Sequence, residues 1–208
     1  MTDPSADTSA SHHGPRRQPA SASTTASQLA GAKMRLRQGL RRYPDFPVEG
    51  VEFCDIMPLF ASPALHAMLL DALEMQIQSC FVDPIPDLIV GLDARGFLFG
   101  PALALRLGLG FVAVRKSGKL PGPCVSARYL KEYGGDSFQM QCDAVAEGQN
   151  VLIVDDIIAT GGSAKAAADL VTQLKGHVLG YLFILEIAGL KGRDKLEGAK
   201  TAILLEDA

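Results

Sequence analysis

Apolar residues recur along the chain with two periods, and their alternation predicts the order of elements. Between residues 29 and 43, Ala32, Leu36 and Leu40 stand four apart, with Arg35, Arg37, Arg41 and Arg42 on other faces. That spacing predicts a short amphipathic helix ended by Pro44. The arginines read either as a solvated face or as a phosphate or subunit contact. Residues 43–60 contain Pro44, Pro47, Gly50 and Pro58, so an ordered loop with a short strand at most is expected. Ser62 and Pro63 then form an N-cap and first-turn pair. Leu65, Leu69, Ala72, Leu73 and Ile77 follow at helical spacing, predicting a helix that ends near Cys80. After a turn at Pro84 and Pro86, apolar runs at 88–92, 110–114, 151–154 and 178–187 predict buried strands, with helices over 97–107 and 163–175. Strands alternating with helices give an α/β fold: a twisted, mostly parallel sheet flanked by helices, with ligands beyond the carboxyl ends of its strands.

Two stretches depart from this rhythm. Residues 116–136 are rich in Gly, Pro and Lys and alternate only weakly, so a long excursion from the core is expected there. The first 30 residues are mostly Ser, Ala, Thr and Pro, too poor in large apolar side chains to offset the entropy of ordering them. They are expected to form a disordered tail, with residues 31–208 as one domain. His12 and His13 lie in that tail and read as a solvated pair.

Charge and cysteine usage narrow the chemistry. Twenty Lys and Arg against 23 Asp and Glu give a net charge of −3, which disfavours a nucleic-acid binder, because counterion release needs clustered basic residues. A small-molecule ligand is the expectation. Cys54, Cys80, Cys124 and Cys142 stand apart from one another and from any histidine at metal-ligand spacing, which indicates neither a zinc site nor a disulfide framework. A reducing, cytoplasmic location is expected. There is no signal-peptide core in the first 30 residues and no apolar run of membrane-spanning length.

The most informative segment is VLIVDDIIATGGSA, residues 151–164. A buried strand ends in adjacent carboxylates, Asp155 and Asp156, and then Ala159, Thr160, Gly161, Gly162 and Ser163 lead into a helix. Glycines at a strand-to-helix turn let backbone N–H groups surround a phosphate, and the helix N-terminus adds about half a positive charge. Two carboxylates beside a phosphate site are costly unless the same ligand offers hydroxyls or carries a cation, which points to a phosphorylated sugar. Taken alone, the acids would also serve to cap a turn. A nucleoside-triphosphatase would need G-x-x-x-x-G-K-[ST], yet Lys119 is followed by Leu120 and Ala113 stands where the first glycine should be. Gly91, Gly96 and Gly100 do not match G-x-G-x-x-G either.

VDDIIATGGS resembles the phosphoribosyl-diphosphate (PRPP) signature of type I phosphoribosyltransferases. Within that family, residues 91–122 (GLDARGFLFGPALALRLGLGFVAVRKSGKLPG), KEYG at 131–134 and PDFPVEGVEFCDI at 44–56 resemble the adenine-specific members. The similarity spans about residues 33–205. It implies the type I phosphoribosyltransferase fold with a small hood and a mobile lid loop over residues 119–135. It further implies a homodimer, with the DARGFLFGPALALRL helix near the contact, and conversion of adenine and PRPP to AMP and diphosphate in purine salvage. Mg²⁺ would be the cofactor, held mainly by PRPP with no direct protein ligand.

Residue by residue, the resemblance implies that Asp155 and Asp156 bind the ribose hydroxyls and that residues 159–163 hold the 5-phosphate. Arg95, Arg115, Lys116, Lys119 and Tyr133, with the main chain of Asp93 and Ala94 in an unusual peptide geometry, would bind diphosphate. Glu132 would act as general base toward the purine N9, or else orient the base or pair with Lys131. Tyr129 would be a further lid residue or simply pack. Phe53 and Ile187 would sandwich adenine beside Glu52 and Cys54. The family commonly has Arg where Cys54 stands and an apolar residue where Glu52 stands, which leaves base preference open. Two alternatives remain: a PRPP-binding transcriptional regulator, for which the N-terminal 30 residues offer no helix-turn-helix, and transfer to another purine base.

Overall fold

In the computed structural model, residues 22–130 and 135–206 are described. The run Leu88–Leu92 (β3) is buried along its whole length, and a strand without a polar face must lie in the middle of a covered sheet. It pairs in parallel with Gly110–Lys116 (β4) on one side and Asn150–Ile158 (β7) on the other. Beyond β7 follow His177–Glu186 (β8) and Thr201–Leu205 (β9), both parallel. Beyond β4 lies an antiparallel hairpin of Cys124–Leu130 (β5) and Gly135–Gln141 (β6), giving the order β5-β6-β4-β3-β7-β8-β9. A separate two-stranded hood pairs Arg41–Tyr43 (β1) with Phe53–Asp55 (β2).

Alternate residues of β7 supply two cores. Val151 and Ile153 face Ala167, Leu170 and Val171 of the helix Gly162–Gln173 (α5), while Leu152 and Val154 pack with Leu36, Leu69, Leu73 and Leu103. The latter come from helices Ala22–Gly39 (α1), Pro63–Cys80 (α3) and Gly100–Leu107 (α4); Met57–Ala61 forms a short α2. Helices on both faces and a mostly parallel sheet are the expected class.

Several boundaries differ from expectation. The first helix begins at Ala22, so residues 22–30 are helical and not part of a disordered tail; residues 1–21 lie outside the described residues. Ala26, Ala30 and Ala32 supply high helix propensity where a hydrophobic stripe is missing. The same helix ends at Gly39, and Arg41 and Arg42 belong to β1, where they form cross-strand ion pairs with Asp55 at 2.9 Å and Glu52 at 2.7 Å. The expected helix over 97–107 divides into a 3₁₀ turn, Arg95–Leu98, and α4, which starts beside Pro101. The excursion over 116–136 contains β5 and the start of β6, with residues 131–134 outside the described residues. The weak alternation of these two strands hides Ala127, Tyr129, Phe138 and Met140, which face the α5 core. Finally, β7 runs to Ile158, so Asp155 and Asp156 lie within the strand and not past its end.

Candidate active site

Three strand ends converge on one cleft. At the end of β7, Asp156 is 3% exposed and Asp155 partly exposed. Its main chain continues into a tight turn in which Gly161 takes φ +75°, the left-handed region that disfavours a side chain. A Cβ there would also collide with the carbonyl oxygen of Gly192, and one at Gly192 with that of Ala159. Backbone is thus packed on backbone, and α5 starts one residue later with its first N–H groups at the turn. At the end of β3 the Asp93–Ala94 peptide is cis, the unusual geometry expected there. Residues 93–95, Lys116, residues 155–164 and Phe183 line a cleft of about 370 Å³. The expected sugar-phosphate and diphosphate residues therefore share one cavity, apart from Arg115 and Lys119, which are not in its lining, and Tyr133.

Charge in this cleft is tightly arranged. Arg95 pairs with Asp156 at 3.0 Å, and Asp155 accepts a hydrogen bond from the N–H of Asp156 at 2.9 Å. Burial pushes the Asp155 carboxyl well above the usual carboxylate range, and the neighbouring Asp156 pushes it further. Asp156 is raised by burial too, with Arg95 opposing. A buried acid pair of this kind binds hydroxyl donors or cations strongly, because either relieves an ionised state that the protein alone supports poorly. Arg115 approaches Asp93 at 3.4 Å and donates to the carbonyl of Lys119 at 3.1 Å, and Lys116 is exposed at the lining. Among the described residues no cluster of three His, Cys, Asp or Glu side chains could hold a metal ion.

A second, largely apolar cleft of about 680 Å³ adjoins the first. It is lined by Tyr43, Phe46, Phe53, Asp55, Met57 and Arg95, with Phe46 edge-on to Phe53 at 5.1 Å between centroids. Arg95 is common to both linings, so the two clefts share a wall. Of the expected base-binding residues, Phe53 lies in this lining and the others do not. Glu52 is turned to Arg42, Cys54 stands opposite Arg42 in the hood, and Ile187, 43% exposed, hydrogen-bonds through its N–H to Ile158 at 2.9 Å. Burial pushes the Cys54 thiol up, which makes it a poor nucleophile near neutral pH. Glu132 and Tyr133 lie outside the described residues. Sequence reasoning missed Tyr43, Phe46 and Met57; aromatic residues held exposed between prolines were the available signal. Phe183 was missed because it reads as an ordinary strand residue.

Residues 68–186 match the model of the phosphoribosyl transferase domain. An adenine phosphoribosyltransferase of Yarrowia lipolytica is 58% identical over 161 residues, covering 77% of this chain and 88% of that protein. Adenine phosphoribosyltransferase 1 of Saccharomyces cerevisiae is 51% identical over 176 residues, 85% of this chain and 94% of the relative. A crystal structure of the Saccharomyces cerevisiae enzyme, complexed with an imino-altritol bisphosphate and adenine, superposes with a TM-score of 0.82 at 52% identity, over 85% of this chain and 99% of that one. A glycine turn fed by two acids, an arginine shared between polar and aromatic clefts, and this degree of identity along most of the sequence lead to one conclusion: the chain belongs to the adenine phosphoribosyltransferase family.

Proposed function

We propose that the polar cleft binds PRPP and the aromatic cleft adenine, and that the wall between them is where the 5-phosphoribosyl group changes hands. The reaction is that of a purine-salvage transferase: adenine and PRPP become AMP and diphosphate. The 5-phosphate sits in the turn of residues 159–163, on the N–H groups at the start of α5 and the hydroxyls of Thr160 and Ser163. Asp155 and Asp156 accept the ribose hydroxyls. Their negative charge also faces the ring on which positive charge grows as diphosphate departs, which favours that state.

Arg95 carries the exchange. Its guanidinium pairs with Asp156; ribose hydroxyls bonding to that acid would release the fork for the diphosphate. Arg115, Lys116, Lys119 and the main chain at Asp93 and Ala94 complete the diphosphate pocket. Phe53, with Tyr43 and Phe46, presents aromatic surface to the purine. Glu132, in the KEYG segment outside the described residues, takes the purine N9 proton as that nitrogen attacks, with Tyr133 beside the diphosphate.

Mg²⁺ fits this site as an ion that arrives with PRPP. Its hard oxygen ligands would come mainly from PRPP with no direct protein ligand, and the Asp155–Asp156 pair lining the same cleft would meet its charge. When bound it neutralises charge on the leaving diphosphate. We also propose a homodimer with Leu98 and Leu105, exposed on the segment after Arg95, near its contact, and a cytoplasmic location, which the four free cysteines fit. Among the described residues no helix is long and apolar enough to cross a membrane.

The observation that carries this reading is the join of the acid pair to the glycine turn in a cleft that shares Arg95 with an aromatic one. Incubation with PRPP, Mg²⁺ and each of adenine, hypoxanthine, guanine and xanthine tests it. Diphosphate release that strongly favours adenine is expected, and Asp155→Asn with Asp156→Asn should abolish it. Preference for an oxopurine would overturn the substrate, full activity of the double variant would overturn the ribose assignment, and no release with any base would favour a PRPP-binding regulator.

A further inference from the structure

Between β8 and β9 the chain carries a charge cluster that lies outside both clefts. Arg193 donates through Nε to both carboxylate oxygens of Glu186, at 2.8 and 2.9 Å, and through Nη2 to Glu186 and to Glu206, the latter at 3.2 Å. The Glu186 side chain is only 13% exposed, and this residue ends β8 directly opposite Ile158 of β7. A planar fork seated on both oxygens of a shielded carboxylate fixes direction as well as distance. Arg37 of α1 donates to the Glu206 carbonyl, which anchors the outer end of the cluster to the helical layer.

The residue immediately before Arg193 is Gly192, whose backbone forms the floor of the phosphate turn. A Cβ on it would collide with the Ala159 carbonyl oxygen and stand 2.8 Å from Ile158 Cγ1 and 2.9 Å from the Gly161 nitrogen. Main chains packed this closely have no room to shift independently. The N–H of Ile187 bonded to Ile158 closes the other side. A ring results: the end of β7, the phosphate turn, Gly192, Arg193, Glu186 at the end of β8, and back to β7.

We infer that Arg193 is a positioning residue for PRPP: its fork on Glu186 presses Gly192 against residues 159–161 and so sets the geometry of the turn that receives the 5-phosphate. This rests on the assignment of that turn as the phosphate site. An isolated surface ion pair would contribute little, but one that closes a backbone ring acts on every N–H in the turn.

The test uses the full chain with Arg193→Ala, Arg193→Lys, Glu186→Gln and the double variant Arg193→Ala with Glu186→Gln. KM for PRPP should rise about tenfold in each single variant, a misplacement-sized effect, with KM for adenine changed less than about twofold. The double variant should be no worse than either single one, since both break the same contact. Calorimetric titration with AMP should show the matching loss of affinity. Melting temperatures are recorded alongside: Arg193→Lys keeps the charge and loses the fork, so it should remain folded while retaining most of the KM defect. Wild-type KM values for PRPP in the folded Lys and Gln variants, or additive effects in the double variant, would overturn the inference. An unmodified chain that neither turns over PRPP nor binds AMP would instead overturn the function proposed above, so the two failures are distinguishable.

Discussion

Asp155 shows how a single side chain is kept at the expense of the fold. Burial and its neighbour hold its carboxyl protonated to higher pH in the folded chain than in the unfolded one. The folded state thus binds the extra proton, so stability is greatest below the unfolded value near 3.8 and declines as pH rises through the raised folded value. Replacing this acid by Asn removes the ionised form. Asp155→Asn is therefore expected to melt higher than the parent at pH 7.5, by about 1 kcal/mol or roughly 3 °C, and the gain should shrink toward pH 4. Turnover should fall at the same time by at least about a hundredfold. Thermal melts across that pH range decide the matter, since a variant that melts lower at pH 7.5 would mean that the acid is stabilised by its surroundings. That these acids adjoin a glycine turn was legible in the sequence. Their placement inside β7 was not, since only pairing with β8 extends that strand past Val154.

Among the elements, those with several agreeing local signals were read correctly. The helix α3 has Ser62 accepting from the Leu65 N–H, a proline at its first turn and apolar residues at helical spacing, and it runs over the span those features mark. Elements that depend on distant partners were lost. The hairpin β5–β6 owes its place to the edge of β4, through Arg115 opposite Gln139 and Lys116 opposite Phe138, and β9 is a five-residue run recognisable only beside β8. The start of α1 was missed because alanine propensity leaves no periodic stripe. The turn between β7 and α5 makes the sharpest element-level prediction. Gly161→Ala sets a methyl against the Gly192 carbonyl in a left-handed conformation, so a loss of about 2–3 kcal/mol in stability is expected. KM for PRPP should rise more than about tenfold. Denaturant titration and steady-state kinetics measure both, and an unchanged KM would remove the turn from the phosphate site.

At the scale of the whole molecule, the sheet order places the ends of β3, β4, β7 and β8 side by side, and the hood adds its aromatic residues to the same rim. This convergence explains why the lining of the polar cleft was readable in the sequence and that of the aromatic cleft less so. The former sits on strands whose order is a rule of α/β folds, whereas the latter hangs on a short hairpin with Pro44 and Pro47 in its connection. Ligand that fills both clefts should stabilise the entire domain. AMP at a hundred times its dissociation constant is expected to add about 2.7 kcal/mol, and dialysis should reverse it. A melting temperature indifferent to AMP would contradict a nucleotide site in this fold.

The Arg95–Asp156 pair has one more consequence. The acid takes one nitrogen of the guanidinium, and the 46% exposure of the Arg95 side chain leaves the fork within reach of an incoming anion. A molecule that carries alcohol groups along with its phosphates would engage both members of the pair at once, hydroxyls at the acid and phosphate at the guanidinium, so recognition of such a ligand would draw on both partners together.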